Sequence, residues 1–201
     1  MLLSAENISI HFGIRPLLTD VNFYLNEGDK IGIIGINGTG KSTFLKVLAG
    51  ALEADEGKIV RNPNVQISYL SQNPVMDDNA SILEQIFLHF PAEFRELNEY
   101  EAKSMLTRLG FTDFSQKIGT LSGGQRKRVS LVAALVHPAD ILILDEPTNH
   151  LDSEMVAWLE DWLKSFRGGL IMVTHDRYFL ERVVNHITEL SRSKIYHYEA
   201  N

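Results

Sequence analysis

Gly35-Ile36-Asn37-Gly38-Thr39-Gly40-Lys41-Ser42 fits the spacing G-x-x-x-x-G-K-[ST] at every fixed position. Glycines at these places let the backbone take φ > 0 and curl around an anion with successive N–H groups pointing inward. A helix starting at Lys41 presents its N-terminus to the same phosphates, and Thr43 continues that turn. Lys41 supplies a point positive charge to the β- and γ-phosphates, and the Ser42 hydroxyl is a hard oxygen ligand for Mg²⁺. A random chain of this length matches the pattern about 1% of the time. Coincidence is therefore set aside once a buried strand before the loop and a helix after it also fit. The spacing is not G-x-G-x-x-G, which disfavours a dinucleotide loop. The residues imply a nucleoside triphosphate accompanied by Mg²⁺.

A second chemical constellation is Ile141-Leu142-Ile143-Leu144-Asp145-Glu146, an apolar strand ending in two acids. Acids at the C-terminal end of a parallel strand stand where open α/β sheets bind ligands. Asp145 is placed to hold Mg²⁺ through water, and Glu146 to accept a proton from water attacking the γ-phosphate. Taken alone, the pair reads equally well as two solvated acids closing a strand. Ser122, with Gly123 and Gly124 behind it, opens a further helix whose backbone N–H groups offer another anion site.

The elements that must position these groups show in the apolar pattern. Residues 2–10 and 20–26 alternate as strands do, around an expected loop at Gly13-Ile14-Arg15-Pro16. Residues 30–34 read as a buried parallel strand, followed by the glycine loop and a helix over 41–49 with Gly50 as its stop. Ser81-Ile82-Leu83-Glu84 is a capping-box sequence, a second helix is expected over 101–109, and Ser122 with Gln125 repeats the box before a helix ended by Pro138. Buried-strand runs return at 141–144 and 170–173, separated by a helix with Val156, Leu159, Leu163 and Phe166 on one face. Residues 187–190 and 195–198 suggest a closing hairpin. The expected fold is α/β: a core over about 1–72 and 138–201, with an inserted helical subdomain over about 73–137.

Composition sets the limits. The 201 residues are 44% hydrophobic and 22% charged, as in a soluble chain able to bury a core. The net charge of −7 argues against a whole-domain basic footprint for nucleic acid. Arg126-Lys127-Arg128 is a local exception, read as a solvated helix face before an RNA contact. With no cysteine, disulfides, thiolate metal sites and cysteine nucleophiles are excluded. No signal peptide is expected at the N-terminus, and no apolar run approaches the ~18 residues of a membrane span. A cytoplasmic chain without membrane contacts of its own is expected.

Leu121-Ser122-Gly123-Gly124-Gln125, taken with the glycine loop and the acids, resembles the LSGGQ signature of the ATP-binding-cassette (ABC) superfamily. The likeness covers essentially the whole chain, and it implies a P-loop NTPase of ABC type. That fold has a mixed core sheet, an antiparallel β region and the inserted helical subdomain. It also implies ATPase activity and roles for further residues. Gln72 resembles the glutamine-loop residue that touches Mg²⁺, and Leu151-Asp152 the D-loop. His175 resembles the switch histidine that contacts the γ-phosphate. Phe12 stands where an aromatic stacks on adenine, although such a ring accepts guanine nearly as well. In this family Ser122, Gly123, Gly124 and Gln125 meet the ATP of a second cassette, head to tail, from the same polypeptide or a second copy. Asp145-Glu146-Pro147-Thr148-Asn149-His150-Leu151-Asp152 and Thr174-His175-Asp176-Arg177-Tyr178-Phe179-Leu180 are similar to the ABC-F branch, whose tandem cassettes act on ribosomes. The span from Gln72 to Leu121 is too short for the long arm many of those proteins carry, and Ser193 stands where a glycine is common. The chain is expected to be part of a tandem protein. A transporter ATP-binding subunit and a DNA-associated ABC ATPase are the alternative readings.

Overall fold

The computed structural model describes residues 1–199. Alternating apolar residues build its first hairpin. Strand β1 (Leu3–Phe12) buries Leu3, Ala5, Ile8 and Ile10, and β2 (Arg15–Leu25) buries Leu18, Val21, Phe23 and Leu25. They pair antiparallel from Leu3 opposite Leu25 to Phe12 opposite Arg15. The turn is thus Gly13 and Ile14 alone, shorter than the expected loop. Pro16 lies inside β2, which is tolerated because β2 is the outer strand of its sheet, where a missing donor can face away from the ladder. A third strand, β4 (Glu56–Arg61), joins the other side of β1. It escapes the sequence pattern because its residues are almost all exposed and show no apolar alternation.

The larger sheet has the order β5-β6-β7-β3-β8-β9, formed by β3 (Lys30–Ile34), β5 (Ile67–Leu70), β6 (Ile141–Asp145), β7 (Gly169–Val173), β8 (His186–Ser191) and β9 (Lys194–Glu199). Its neighbours run parallel except β8 and β9, the closing hairpin. Every residue of β6 and β7 is buried, as a parallel strand covered on both faces must be. Helix α1 (Lys41–Ala49) follows β3 and stops at Gly50, whose φ of 84° a side chain would resist. Helix α6 (Arg177–Val183) lies against β3 so closely that a Cβ on Gly32 would stand 2.5 Å from Leu180 Cδ1. One apolar cluster runs from Phe23 on β2 through Phe44, Leu45 and Leu48 on α1 to Ile33, Ile143 and Ile171 in the sheet.

The chain divides into two units. All the elements above belong to the first, which comprises Met1–Gln72, Ala139–Pro147 and the chain from Leu163 onward. The second comprises Asn73–Pro138 together with Thr148–Trp162. It contains α2 (Ile82–Ile86), α3 (Ala92–Arg108), α4 (Gly123–Val136) and α5 (Ser153–Ser165) as far as Trp162. Helix α3 begins well before the expected Glu101. Its buried residues, Ala102, Met105 and Leu106, all lie in the C-terminal half. The first half is held by polar links, Asn98 Nδ2 donating to Phe94 O and Glu99 pairing with Arg95 and Lys103, so apolar spacing does not reveal it. Phe90 and Phe94 stack at 4.4 Å beside this helix start. Among the described residues no helix is long and apolar enough to cross a membrane.

The Phe44 ring is fully buried, edge-on to Phe23 at 5.5 Å. Phe44→Ala is expected to destabilise the chain by about 3–5 kcal/mol, through lost transfer energy and an unfilled cavity. Urea unfolding followed by circular dichroism measures this; a loss below about 1 kcal/mol shows that the core does not depend on the pair.

Candidate nucleotide-binding site

Strand β3 delivers the chain to the glycine loop, and α1 carries it away. Gly38 and Gly40 take φ of 84° and 91°, the left-handed backbone that turns successive N–H groups toward one point. Gly35 is constrained differently: a Cβ there would stand 2.7 Å from Leu190 O on the neighbouring strand β8. Thr39 Oγ1 donates to Ile36 O at 2.7 Å, and Lys41 Nζ folds back onto Gly35 O, so the loop is bound to itself. Gly40 caps α1 without offering any side-chain acceptor, and the first turn contains no acid. The leading N–H groups of a nine-residue helix are thereby left for an anion, with the cation of Lys41 beside them.

Asn37, Gly38, Gly40, Lys41, Ser42 and Thr43 line a cleft of about 300 Å³. Gln72, following β5, and Asp145, Glu146 and His175, at the ends of β6 and β7, line the same cleft. All these residues belong to the first unit. Gly35, Ile36 and Thr39 shape the loop without lining the cleft. Phe12 also stands outside the lining, with its side chain largely in solvent at the tip of the β1–β2 hairpin. Arg15, across the turn from Phe12, donates from Nη2 to Gly38 O at 3.1 Å. That contact joins positions 23 residues apart, and no motif in the sequence marks it.

The two acids differ in their surroundings. Asp145, 3% exposed, ends β6 in register with Val173. Burial and the negative charge of Asp145 push the Tyr69 phenol up to about 12. Glu146 is held at φ 53°, a conformation that costs a non-glycine residue of order 1 kcal/mol and is characteristic of functional sites. Its N–H donates to Val173 O at 2.7 Å. One oxygen of its carboxylate accepts from the His175 backbone N–H at 3.2 Å, and the other lies 3.1 Å from His175 Nε2. A carboxylate has about four lone-pair positions, so this grip leaves acceptor capacity for a water. The His175 side chain is itself two-thirds exposed. The helix after it is capped by Asp176, whose Oδ1 accepts from Phe179 N–H, so His175 has no capping duty.

The cleft suits Mg²⁺. Ser42, Gln72 and Asp145 contribute hydroxyl, amide and carboxylate oxygens, a hard donor set. Among the described residues no group of three His, Asp or Glu side chains could hold a metal alone. The ion would therefore share its shell with phosphate oxygens and water, as Mg²⁺ does where it binds nucleotides.

In the second unit, Ser122 caps α4 in a complete capping box: Ser122 Oγ accepts from Gln125 N–H, and Gln125 Oε1 accepts from Ser122 N–H at 2.9 Å. A Cβ on Gly123 would meet open space, whereas one on Gly124 would stand 3.1 Å from His150 Nδ1. Asp152 accepts from Met155 N–H and caps α5. Two of the three basic residues on α4 have structural partners. Arg126 pairs with Asp78 at 2.8 Å, and Arg128 donates to Leu109 O while lying over the Phe111 ring. These contacts favour the reading of that run as a helix face over an RNA contact.

Comparison with known proteins adds to this geometry. Residues 18–149 match the family described as ABC transporter. The chain is 39% identical to the "Uncharacterized ABC transporter ATP-binding protein YfmR" of Bacillus subtilis, over 100% of this chain and 38% of that one. It is 36% identical to the "Energy-dependent translational throttle protein EttA" of Escherichia coli, over 93% of this chain and 40% of that one. The chain thus spans about two-fifths of the length of these curated relatives. Among solved structures it resembles the ATP binding subunit of an ABC transporter, with a TM-score of 0.88, 22% identity and coverage of 99% and 90% of the two chains. A dimeric bacterial ABC transporter cassette superposes with a TM-score of 0.84, also at 22% identity, over 100% and 99%.

Lys41→Ala is expected to weaken Mg²⁺–ATP binding by about 10- to 100-fold, the range for losing a hydrogen-bonding charge. Calorimetry on the purified chain reads this directly, and unchanged affinity removes the lysine from the phosphate site.

Proposed function

Because this chain belongs to the ABC transporter family of ATP-binding cassettes, we propose that its first unit binds Mg²⁺–ATP and hydrolyses it, within a tandem ABC-F type protein acting on the ribosome. The observation that carries the chemical part is the Glu146 carboxylate, held between the backbone N–H and ring nitrogen of His175 in the cleft that Lys41 and Ser42 also line.

The triphosphate tail lies in the cup, its charge met by inward N–H groups and by Lys41. Mg²⁺, when bound, would neutralise phosphate charge, and Ser42, Asp145 and Gln72 are the residues that would hold it. Glu146 accepts the proton of the attacking water, and the strained backbone at this residue keeps its carboxylate aimed into the cleft. His175 orients that carboxylate and approaches the γ-phosphate with its exposed ring. Phe12 stacks on the base.

Full turnover in this reading needs a second cassette. Ser122, Gly123, Gly124 and Gln125 present the N-terminus of α4 to the ATP of a partner cassette, head to tail, and Asp152 contributes to the same junction. The dimeric arrangement of a structural neighbour supports such pairing. The ABC-F assignment rests on the similarity to EttA, named as a translational throttle, and on Asn149-His150 in the run after the acids. The transporter reading draws on the name given to YfmR and on the likeness to a transporter subunit. The coupled process is what separates the two.

Glu146→Gln is expected to retain ATP binding and to lower hydrolysis by about 10²–10⁴-fold in the paired protein. Full turnover by that variant would remove Glu146 as the general base. The intact protein carrying this substitution is expected to cosediment with ribosomes in ATP and not in ADP. Absence from the ribosome pellet in both nucleotides would overturn the translational assignment and leave the ATPase assignment standing.

A further inference from the structure

The β1–β2 hairpin reaches into solvent at its tip. Phe12 is 77% exposed, Ile14 is fully exposed, and a Cβ added to Gly13 would touch nothing within 4 Å. Lower down, the hairpin is anchored on both strands. His11 N–H donates to Asp55 Oδ2 at 2.7 Å, Ser193 Oγ donates to Pro16 O, and Thr19 N–H donates to Ser193 O. Beyond those anchors the tip is tied to the rest of the unit by Arg15, whose Nη2 donates to Gly38 O at 3.1 Å.

Phe12 and Arg15 are directly paired across the turn. Cross-strand partners project to the same face of an antiparallel ribbon. Since the Arg15 guanidinium reaches the glycine loop, the face that carries Phe12 is the one turned toward that loop. Gly38 is also one of the two left-handed positions that form the cup, so its carbonyl marks the loop's conformation as well as its position. The guanidinium has five N–H groups and is charged at every relevant pH, so one rigid contact can hold the tip without losing its charge.

We propose that Arg15 is a positioning residue that links the base-stacking aromatic to the phosphate cup, setting the distance between the Phe12 ring and the loop. The inference rests on the ATP-binding reading above. Without Arg15 the tie between the tip and the glycine loop is lost, and the ring must be set against the loop at the moment of binding. Arg15 thus acts on the base through Phe12, and the phosphate tail does not depend on it.

The test compares Mg²⁺–ATP with Mg²⁺–tripolyphosphate, which has the phosphate tail and no base, by calorimetry on the same purified chain. Base–aromatic stacking is worth about 1–3 kcal/mol, so Phe12→Ala is expected to weaken ATP by about 5- to 100-fold. Arg15→Ala is expected to weaken ATP by about 5- to 10-fold and tripolyphosphate by less than about 2-fold. Phe12→Ala/Arg15→Ala is expected to bind ATP no more weakly than Phe12→Ala alone, since the strut has no purpose once the ring is gone. Arg15→Lys, which keeps a cationic donor for a single carbonyl, is expected to recover most of the loss. Additive losses in the double variant, or equal weakening of both ligands by Arg15→Ala, overturn the proposal, the latter by making Arg15 a phosphate ligand. Normal ATP affinity in Phe12→Ala also overturns it. A wild-type chain that binds neither ligand instead removes the ATP-binding reading itself.

Discussion

Backbone amides can hold a polyanion only if nothing nearer satisfies them first. That constraint shapes the segment from Lys30 to Ala49. The strand must end and the helix begin within a few residues, with left-handed turns between them, so that the leading N–H groups of α1 meet no side-chain cap. Gly40 in the cap position achieves this, where a serine or aspartate would supply a competing oxygen. Gly35 passes too close to Leu190 O for any side chain. The rest of the first unit is a frame that keeps this loop in place, with Phe44, Leu45 and Leu48 fastening the underside of α1 to the sheet.

The acids at the sheet edge complement the loop because the parallel order of the strands brings their C-terminal ends to one side. β6 and β7 are adjacent and in register from Ile141 opposite Gly169 to Asp145 opposite Val173. Residues just past those ends, Glu146 and His175, therefore meet without any local sequence relation. Two oxygens held by one residue restrict the carboxylate's rotation, and the left-handed backbone at Glu146 restricts it further. In the proposed reading, such positioning serves a group that faces the transferring phosphate.

The second unit handles the same physics in the opposite way. At α4, Ser122 and Gln125 satisfy each other's N–H groups through the capping box. That fixes the helix start firmly while leaving open space at Gly123. Asp152 caps α5 likewise, and Arg126 and Arg128 hold the flank of α4 to Asp78 and Leu109. Residues that resemble contact motifs thus also serve as caps and ties.

The amino-acid sequence by itself determined the glycine loop, the acids after a buried strand, the signature run and the caps, because each depends on residues within a few positions of one another. It also indicated β3, β6 and β7, whose short apolar runs suit strands covered on both faces, whereas β5 carries no such run. Tertiary structure decided what has no local signal. The strand β4 is exposed, the first half of α3 is held by polar links, and Pro16 is permitted in β2 only because that strand is outermost. The Arg15–Gly38 and Glu146–His175 contacts join residues 23 and 29 positions apart. Chemistry of residue types is written along the chain; distances between them arise only when sheet order and register bring strand ends together.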